Sequence, residues 1–339
     1  RFAVMAAFLP PFFLLQALHW IGFLLDDLLF PGYRNVAVRQ PLFVVGVPRS
    51  GTTFLHRVLA VDSQRFTTPR LWELIFAPSV TERRLLILLG RFDNRLGRPV
   101  GALIDALQER LFSPFDAIHP VRLADPEEDY FALVPVLACF LLVLPFPASE
   151  RLWRLSRFDE QVPDDERRRI VSFYRGLLQR HLYVRGPDKQ LLSKNPSFSP
   201  MVRTLAEAFP DACFVACFRN PSEAVASELS AMTEGMKTFA NHTMGGRFRD
   251  RMVDVMVHYY RHLLGGLPAA APGRHRFVTL ESMKTDVDGT VRGIYRRFGW
   301  FPGDRLSAAL PAEMKKSQAY RSRHRYRLGQ FQLTGEEIA

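Results

Sequence analysis

The stretch Pro41–Leu59, PLFVVGVPRSGTTFLHRVL, constrains the fold more than any other part of the chain. Leu42 to Val47 is a short apolar, β-branched run, the pattern of a strand buried on both faces of a parallel sheet. Pro48 to Gly51 reads as a tight turn, and from Thr52 onward Phe54, Leu55, Val58 and Leu59 fall at helical spacing. A strand that enters a helix through small residues gathers backbone N–H groups and the positive helix end at one point. Such a point is a ready anion site.

Gly46, Gly51 and Thr53 match the two glycines and final hydroxyl of the ATP-binding loop G-x4-G-K-[ST], but Thr52 stands where that loop has its lysine. Without the lysine, Mg-ATP loses the charge that neutralises its terminal phosphates. The cation lies inside the turn instead, as Arg49, whose planar fork suits an oxyanion at close range. Downstream, Cys213 to Phe218 reads as a second buried strand that ends at Arg219 and passes through Asn220-Pro221 into a helix. A Mg²⁺-dependent nucleotide enzyme calls for an Asp at such a strand end. Ser227 follows Arg219 by eight residues, about two helical turns, so the pair is spaced to grip one phosphate from two sides.

GVPRSGTTFLHRVL resembles the 5′-phosphosulfate loop of sulfotransferases that use 3′-phosphoadenosine-5′-phosphosulfate (PAPS). It is closest to the bacterial-type branch with PRSGTT, a loop also found in tyrosylprotein sulfotransferases. The resemblance runs from about Pro41 to the C-terminus and takes in TPRLWEL, LLSKNPSF, FRNPSEAVAS and HRYRLGQFQLT. It implies an α/β fold: a P-loop-like parallel sheet flanked by helices (the sulfotransferase fold), preceded by a hydrophobic N-terminal helical segment. It implies a sulfotransferase domain at 41–339 after an N-terminal segment at 1–40. It also implies that Pro48, Arg49, Ser50, Gly51, Thr52 and Thr53 hold the 5′-phosphate, that Arg219 and Ser227 hold the 3′-phosphate, and that Arg323, Arg325 and Tyr326 fold over the nucleotide. Lys194, at a probable strand end before Asn195-Pro196, matches the family's lysine facing the donor.

For the proton-accepting base, Glu73 is the first candidate. It is a lone carboxylate among apolar neighbours, a setting that raises a carboxyl pKa, and the family carries an acidic base in this region. His119, in a His-Pro loop, is the second. Glu127 and Glu128, after Asp125-Pro126, read as the acidic first turn of a helix. No metal cluster is apparent.

The net charge of +11 suits an anionic nucleotide, an acidic membrane surface or nucleic acid, and the arginines inside the two ligand-like motifs favour the nucleotide. No nucleic-acid-binding module is apparent. Cys139, Cys213 and Cys217 lie in apolar runs without metal-ligand spacing, which fits buried thiols in a reducing compartment. Phe2 to Leu25 is almost wholly apolar but carries Pro10-Pro11, Gln16 and His19, and the prolines are expected to break it. A split segment ending near Trp20 and Asp26-Asp27 fits an interfacial helix within residues 1–30, which would put a cytoplasmic enzyme at the membrane surface. The chain opens on Arg1, so a targeting segment upstream stays open. Ala132 to Ala148, broken by Pro135, Pro145 and Pro147, reads as a core helix or pocket lining, and hints with the N-terminus at a hydrophobic hydroxyl acceptor. The competing readings are a P-loop kinase or NTPase and a non-enzymatic protein that binds membrane surfaces.

Overall fold

The computed structural model describes residues 1–112, 122–241, 246–319, 328–331 and 333. Five parallel strands form one sheet: β1 (Leu42–Gly46), β2 (Phe66–Thr67), β3 (Gln190–Lys194), β4 (Cys213–Phe218) and β5 (His275–Thr279), in the order β2-β3-β1-β4-β5. The loop-bearing strand is therefore central, as its uninterrupted apolar run requires.

Alternation along β1 and β4 divides the core. Phe43, Val45, Phe214 and Ala216 face one apolar cluster, which includes Tyr174, Phe198 and Tyr259. Leu42, Val44, Cys213 and Cys217 face the other, with Leu55, Ile294 and Trp300. The period of two in side-chain direction thus buries both faces of each strand. All three cysteines are free and buried.

Helix α1 (Phe2–Leu29) runs unbroken for 28 residues, which corrects the expected break at Pro10-Pro11. The two missing N–H groups cost bonds only near the N-terminal end. Phe8 and Phe12 pack across the prolines with ring centroids 5.2 Å apart, and Phe8 also meets Phe239 edge-on at 5.2 Å.

The helix is turned inside out. Its buried stripe is Gln16, His19, Phe23 and Asp26, while Phe13, Leu14, Leu18, Ile21, Leu24 and Leu28 are exposed. Asp26 is fully buried and caps α4 (Val80–Arg95): its carboxylate accepts the Val80 and Thr81 N–H groups, each at 2.8 Å, and Arg180 Nε at 2.8 Å. The Arg180 guanidinium also lies over the Tyr33 ring at 4.0 Å. His19 places its two ring nitrogens against Glu82 at 2.7 Å and the Ile75 carbonyl at 3.1 Å.

Asp26→Ala would leave the buried Arg180 with only Asp27, 3.5 Å away, as counter-ion and would take the acceptor from the Val80 and Thr81 N–H groups. The expected cost is about 3–5 kcal/mol of folding stability, measured by urea denaturation. A loss below about 1 kcal/mol, the scale of an exposed ion pair, would show that Asp26 does not fasten α1.

Candidate active site

The carboxyl ends of β1, β3 and β4 converge on the loop that follows β1. Gly46 allows this convergence, because a Cβ there would lie 2.5 Å from the Cys217 carbonyl oxygen of β4. Ser199 holds the strand end from the other side: its Oγ accepts the Gly46 N–H at 3.1 Å and donates to the Gly46 carbonyl at 2.8 Å. The turn closes with Ser50 N–H on the Val47 carbonyl at 3.2 Å.

Arg49 (φ 66°) and Gly51 (φ 88°) are both left-handed, which costs glycine little. At Arg49 it stores backbone strain of about 1–3 kcal/mol. Helix α2 (Thr52–Ala60) starts at once, and its first bond runs from Leu55 N–H to the Gly51 carbonyl at 3.0 Å. The N–H groups of Thr52, Thr53 and Phe54 therefore have no intrahelical acceptor. Beside them the Ser50 hydroxyl is buried with no hydrogen-bond partner. A fully buried orphan hydroxyl at a helix N-terminus is a donor set waiting for an anion.

Arg49 donates through Nε to Ser227 Oγ at 3.1 Å, so Ser227 orients the guanidinium that the loop presents. Arg219 reaches the Arg49 carbonyl at 3.4 Å, while its Nε and Nη2 pair with Glu223 at 2.9 and 2.6 Å. Tyr260 donates to the Arg219 carbonyl at 2.6 Å. Arg49, Arg219 and Ser227, spread over some 180 positions of sequence, thus meet at one edge of the sheet.

Lys194, the last residue of β3, is completely buried between Glu127 at 3.1 Å and Glu128 at 2.9 Å. Burial alone would lower its pKa, but Glu128 and Glu127 outweigh burial and raise it. The two glutamates do not open an α-helix, which corrects the first-turn reading. Glu128 caps a 3-10 segment, Asp129–Val136, and the pair serves as counter-ions to Lys194. Asp129, next in line, accepts hydrogen bonds from the Tyr174 hydroxyl and from Ser193, and burial pushes its carboxyl up to about 7.

The raised pKa expected for Glu73 is corrected. Burial acts in that direction, but Arg83, His181, Arg185 and the Arg70 N–H outweigh it and hold the carboxyl below its usual value. Glu73 is fully buried, accepts Arg185 Nε at 2.7 Å, lies 3.7 Å from Arg83 Nε, and accepts the Arg70 N–H at 2.8 Å as it caps α3 (Leu71–Phe76). A carboxylate so engaged is a counter-ion and a helix cap, poorly placed to take a proton. His119, Arg323, Arg325 and Tyr326 lie outside the described residues.

A family model described as the sulfotransferase family matches residues 41–301. The chain belongs to this family. Among its sulfotransferase relatives are the omega-hydroxy-beta-dihydromenaquinone-9 sulfotransferases Stf3 of Mycobacterium bovis and Mycobacterium tuberculosis. Each is 27% identical over 324 residues, covering 90% of this chain and 73% of the relative. Two solved sulfotransferases share the fold. STF9 of Mycobacterium avium is 21% identical with a TM-score of 0.70, over 91% of this chain and 76% of that one. STF1 of Mycobacterium tuberculosis H37Rv is 20% identical with a TM-score of 0.66, over 91% and 79%.

In this sulfotransferase, two acidic groups at the site escaped sequence reasoning. One is the Glu127/Glu128 pair. Four acids around one proline, Asp125, Glu127, Glu128 and Asp129, exceed what a helix start needs, and that surplus was the available signal. The other is Glu228, next to Ser227, whose carboxyl is pushed up to about 7 by burial against the opposing charge of Arg49, with Glu128 adding to the rise.

Elsewhere, Glu160, His258 and His262 bring possible ligand atoms together. There Arg157 approaches His258 Nδ1 at 3.3 Å and Glu160 at 3.6 Å, so a guanidinium already supplies the positive charge.

Glu73→Gln leaves Arg83 and Arg185 short of a buried counter-ion, and should cost about 3–5 kcal/mol of stability at neutral pH. Because the folded pKa lies below the unfolded one, this stabilisation is present above the ordinary carboxylate range and lost as pH falls through the folded value. Wild-type and Gln chains should therefore converge in stability on acidification, as followed by urea denaturation. A gap that stays constant with pH would refute the counter-ion role.

Proposed function

We propose that this chain transfers a sulfuryl group from PAPS to a hydroxyl (or amine) of a hydrophobic acceptor, at a membrane surface. The observation that carries the donor assignment is the buried, unpartnered Ser50 hydroxyl beside the open N–H groups of α2, with Arg49 over the same turn. These residues fit an anion, and the second cationic point at Arg219 and Ser227 fits a nucleotide with two anionic ends.

PAPS, when bound, supplies the sulfuryl group and a phosphate leaving group. The chain's own groups then have distinct tasks, mostly of positioning and charge stabilisation. The backbone N–H groups from Ser50 to Thr53 and the hydroxyls of Thr52 and Thr53 hold the 5′-phosphate end, with Pro48 and Gly51 shaping the turn. Arg49 stays protonated and stabilises negative charge where the leaving group forms. Lys194 adds a fixed positive charge. Arg219 and Ser227 take the 3′-phosphate by exchanging their present partners, and Arg323, Arg325 and Tyr326 remain candidates for covering the nucleotide. Glu128 replaces Glu73 as the favoured base: its side chain is 22% exposed, against 5% for Glu127, so it is the member of the pair that an acceptor hydroxyl can reach. His119 stays the second candidate.

Membrane contact is part of the same reading, with residues 1–40 as the contact segment before the catalytic domain. Helix α1 is long and apolar enough to cross a membrane. Its polar stripe is spent on the protein, however, and its apolar residues face outward beside the exposed Leu85, Leu88, Leu89 and Phe92 of α4. An apolar surface of this extent, fastened to the body, suits a helix lying on a bilayer at its cytoplasmic side. The mycobacterial relatives are named for a hydroxylated menaquinone derivative, which supports a hydrophobic hydroxyl acceptor here.

Adenosine 3′,5′-bisphosphate should raise the melting temperature of the purified chain more than 5′-AMP or Mg-ATP, because a ligand specific to the folded state stabilises it. A preference for Mg-ATP would favour a P-loop kinase instead. No nucleotide shift together with binding to lipid vesicles would favour a non-enzymatic membrane protein. Arg49→Ala should lower turnover with PAPS by about a hundred- to a thousand-fold, and unchanged turnover would remove Arg49 from the reaction. Glu128→Gln should lower turnover while the bisphosphate shift persists. Unchanged turnover would exclude it as the base.

A further inference from the structure

Between α1, α3 and the segment Asp129–Val136 lies a cavity of about 410 Å³, lined by Phe8, Phe12, Leu15, Gln16, Phe131 and Val134 among others. This volume falls within the roughly 300–1,000 Å³ of small-molecule sites. Its walls are almost entirely hydrocarbon. Of the two polar side chains on them, His19 has both nitrogens engaged. Gln16 donates through Nε2 to the Phe12 carbonyl at 3.4 Å, while its Oε1 is buried without a partner. Gln16 is 9% exposed, so this oxygen has given up water and gained nothing within the protein.

The cavity is linked to the site through the geometry of its wall. In a 3-10 helix there are three residues per turn, so positions three apart eclipse one another. Phe131 and Val134, both inside the segment, therefore stack as one row on its cavity side. Glu128, the extended residue immediately before the segment, carries the carboxylate paired with Lys194, three positions ahead of the first of these cavity-lining side chains. Pro135 helps to keep this stretch from winding into an α-helix, which would scatter the row around the axis.

We infer that this cavity holds the hydrocarbon tail of the acceptor, with the tail along Phe131 and Val134 and the reacting hydroxyl delivered to Glu128. The ligand class is a hydroxylated amphiphile that also offers a hydrogen-bond donor to Gln16. The inference rests on the sulfotransferase reading above for its chemistry, and on the cavity alone for its binding. The opposite side of α1 is the exposed apolar face, so a lipid acceptor lying in a bilayer has one helix to pass before it meets the row.

The test uses the full chain with Val134→Trp and Leu15→Trp, each adding bulk inside the cavity. Binding is read from the fluorescence of cis-parinaric acid, a long-chain probe that brightens in apolar surroundings. Retention of the thermal shift by adenosine 3′,5′-bisphosphate establishes that each variant is folded. The expected result is a loss of probe affinity of about tenfold or more in both variants. In parallel, the ratio of kcat/KM for hexadecanol to that for butanol should fall by a similar factor. Equal probe binding in wild type and both variants, with sulfuryl transfer intact, would overturn the cavity and leave the donor site standing. Probe binding that is sensitive to tryptophan without transfer to either alcohol would support the cavity and count against the transferase chemistry.

Discussion

The close approach of β1 to β4 at Gly46 is the constraint on which the site depends. Where a side chain would meet the Cys217 carbonyl, two parallel strands end side by side. Their following segments, one carrying Arg49 and the other Arg219, are forced to share a single edge. The left-handed turn at Arg49 and Gly51, the open first turn of α2 and the Ser227 hydroxyl that fixes Arg49 all follow from that placement. A bulkier residue at Gly46 would separate the two cationic segments before it disturbed either one.

Elsewhere the protein buries several charges that hold its segments in place. Asp26 joins α1 to the start of α4, Glu73 caps α3 and collects two arginines, and Lys194 draws Glu127 and Glu128 onto the end of β3. Buried pairs of this kind add little net stability, but removing one partner is costly. They fix where segments lie rather than how tightly the molecule holds. The consequence at Lys194 is direct: the lysine needs two carboxylates, and the chain that supplies them becomes the 3-10 segment leading into the apolar cavity.

The parallel sheet with a central β1 was legible because a fully buried strand leaves an unbroken apolar run, and the anion loop because strand, glycines and arginine occur within a few residues. Arg219 and Ser227 were legible as a pair from their spacing, but that they share a site with Arg49 was legible only through the family resemblance. Glu73 shows where local reading stops. Its apolar neighbours are real, but Arg185 is 112 positions away, and no local pattern shows that it arrives. The same holds for Glu127 and Glu128, whose partner is 66 to 67 residues downstream. Helix α1 misled in another way. Two prolines argue for a break on propensity alone, and aromatic packing across them outweighed it.

The inverted α1 has a consequence for anyone wishing to trim this protein. A terminal apolar helix is often an appendage, and removing it leaves a soluble catalytic unit. Here the helix with the greasy exterior is also the one that carries Asp26 to the start of α4 and to Arg180, and its inner side walls the apolar cavity. The apolar outer face and the architecture belong to the same element. Detergent or exposed-face substitutions at Leu14, Leu18, Leu24 or Leu28 would change how the protein meets its surroundings, whereas cutting the helix away would dismantle the enzyme itself.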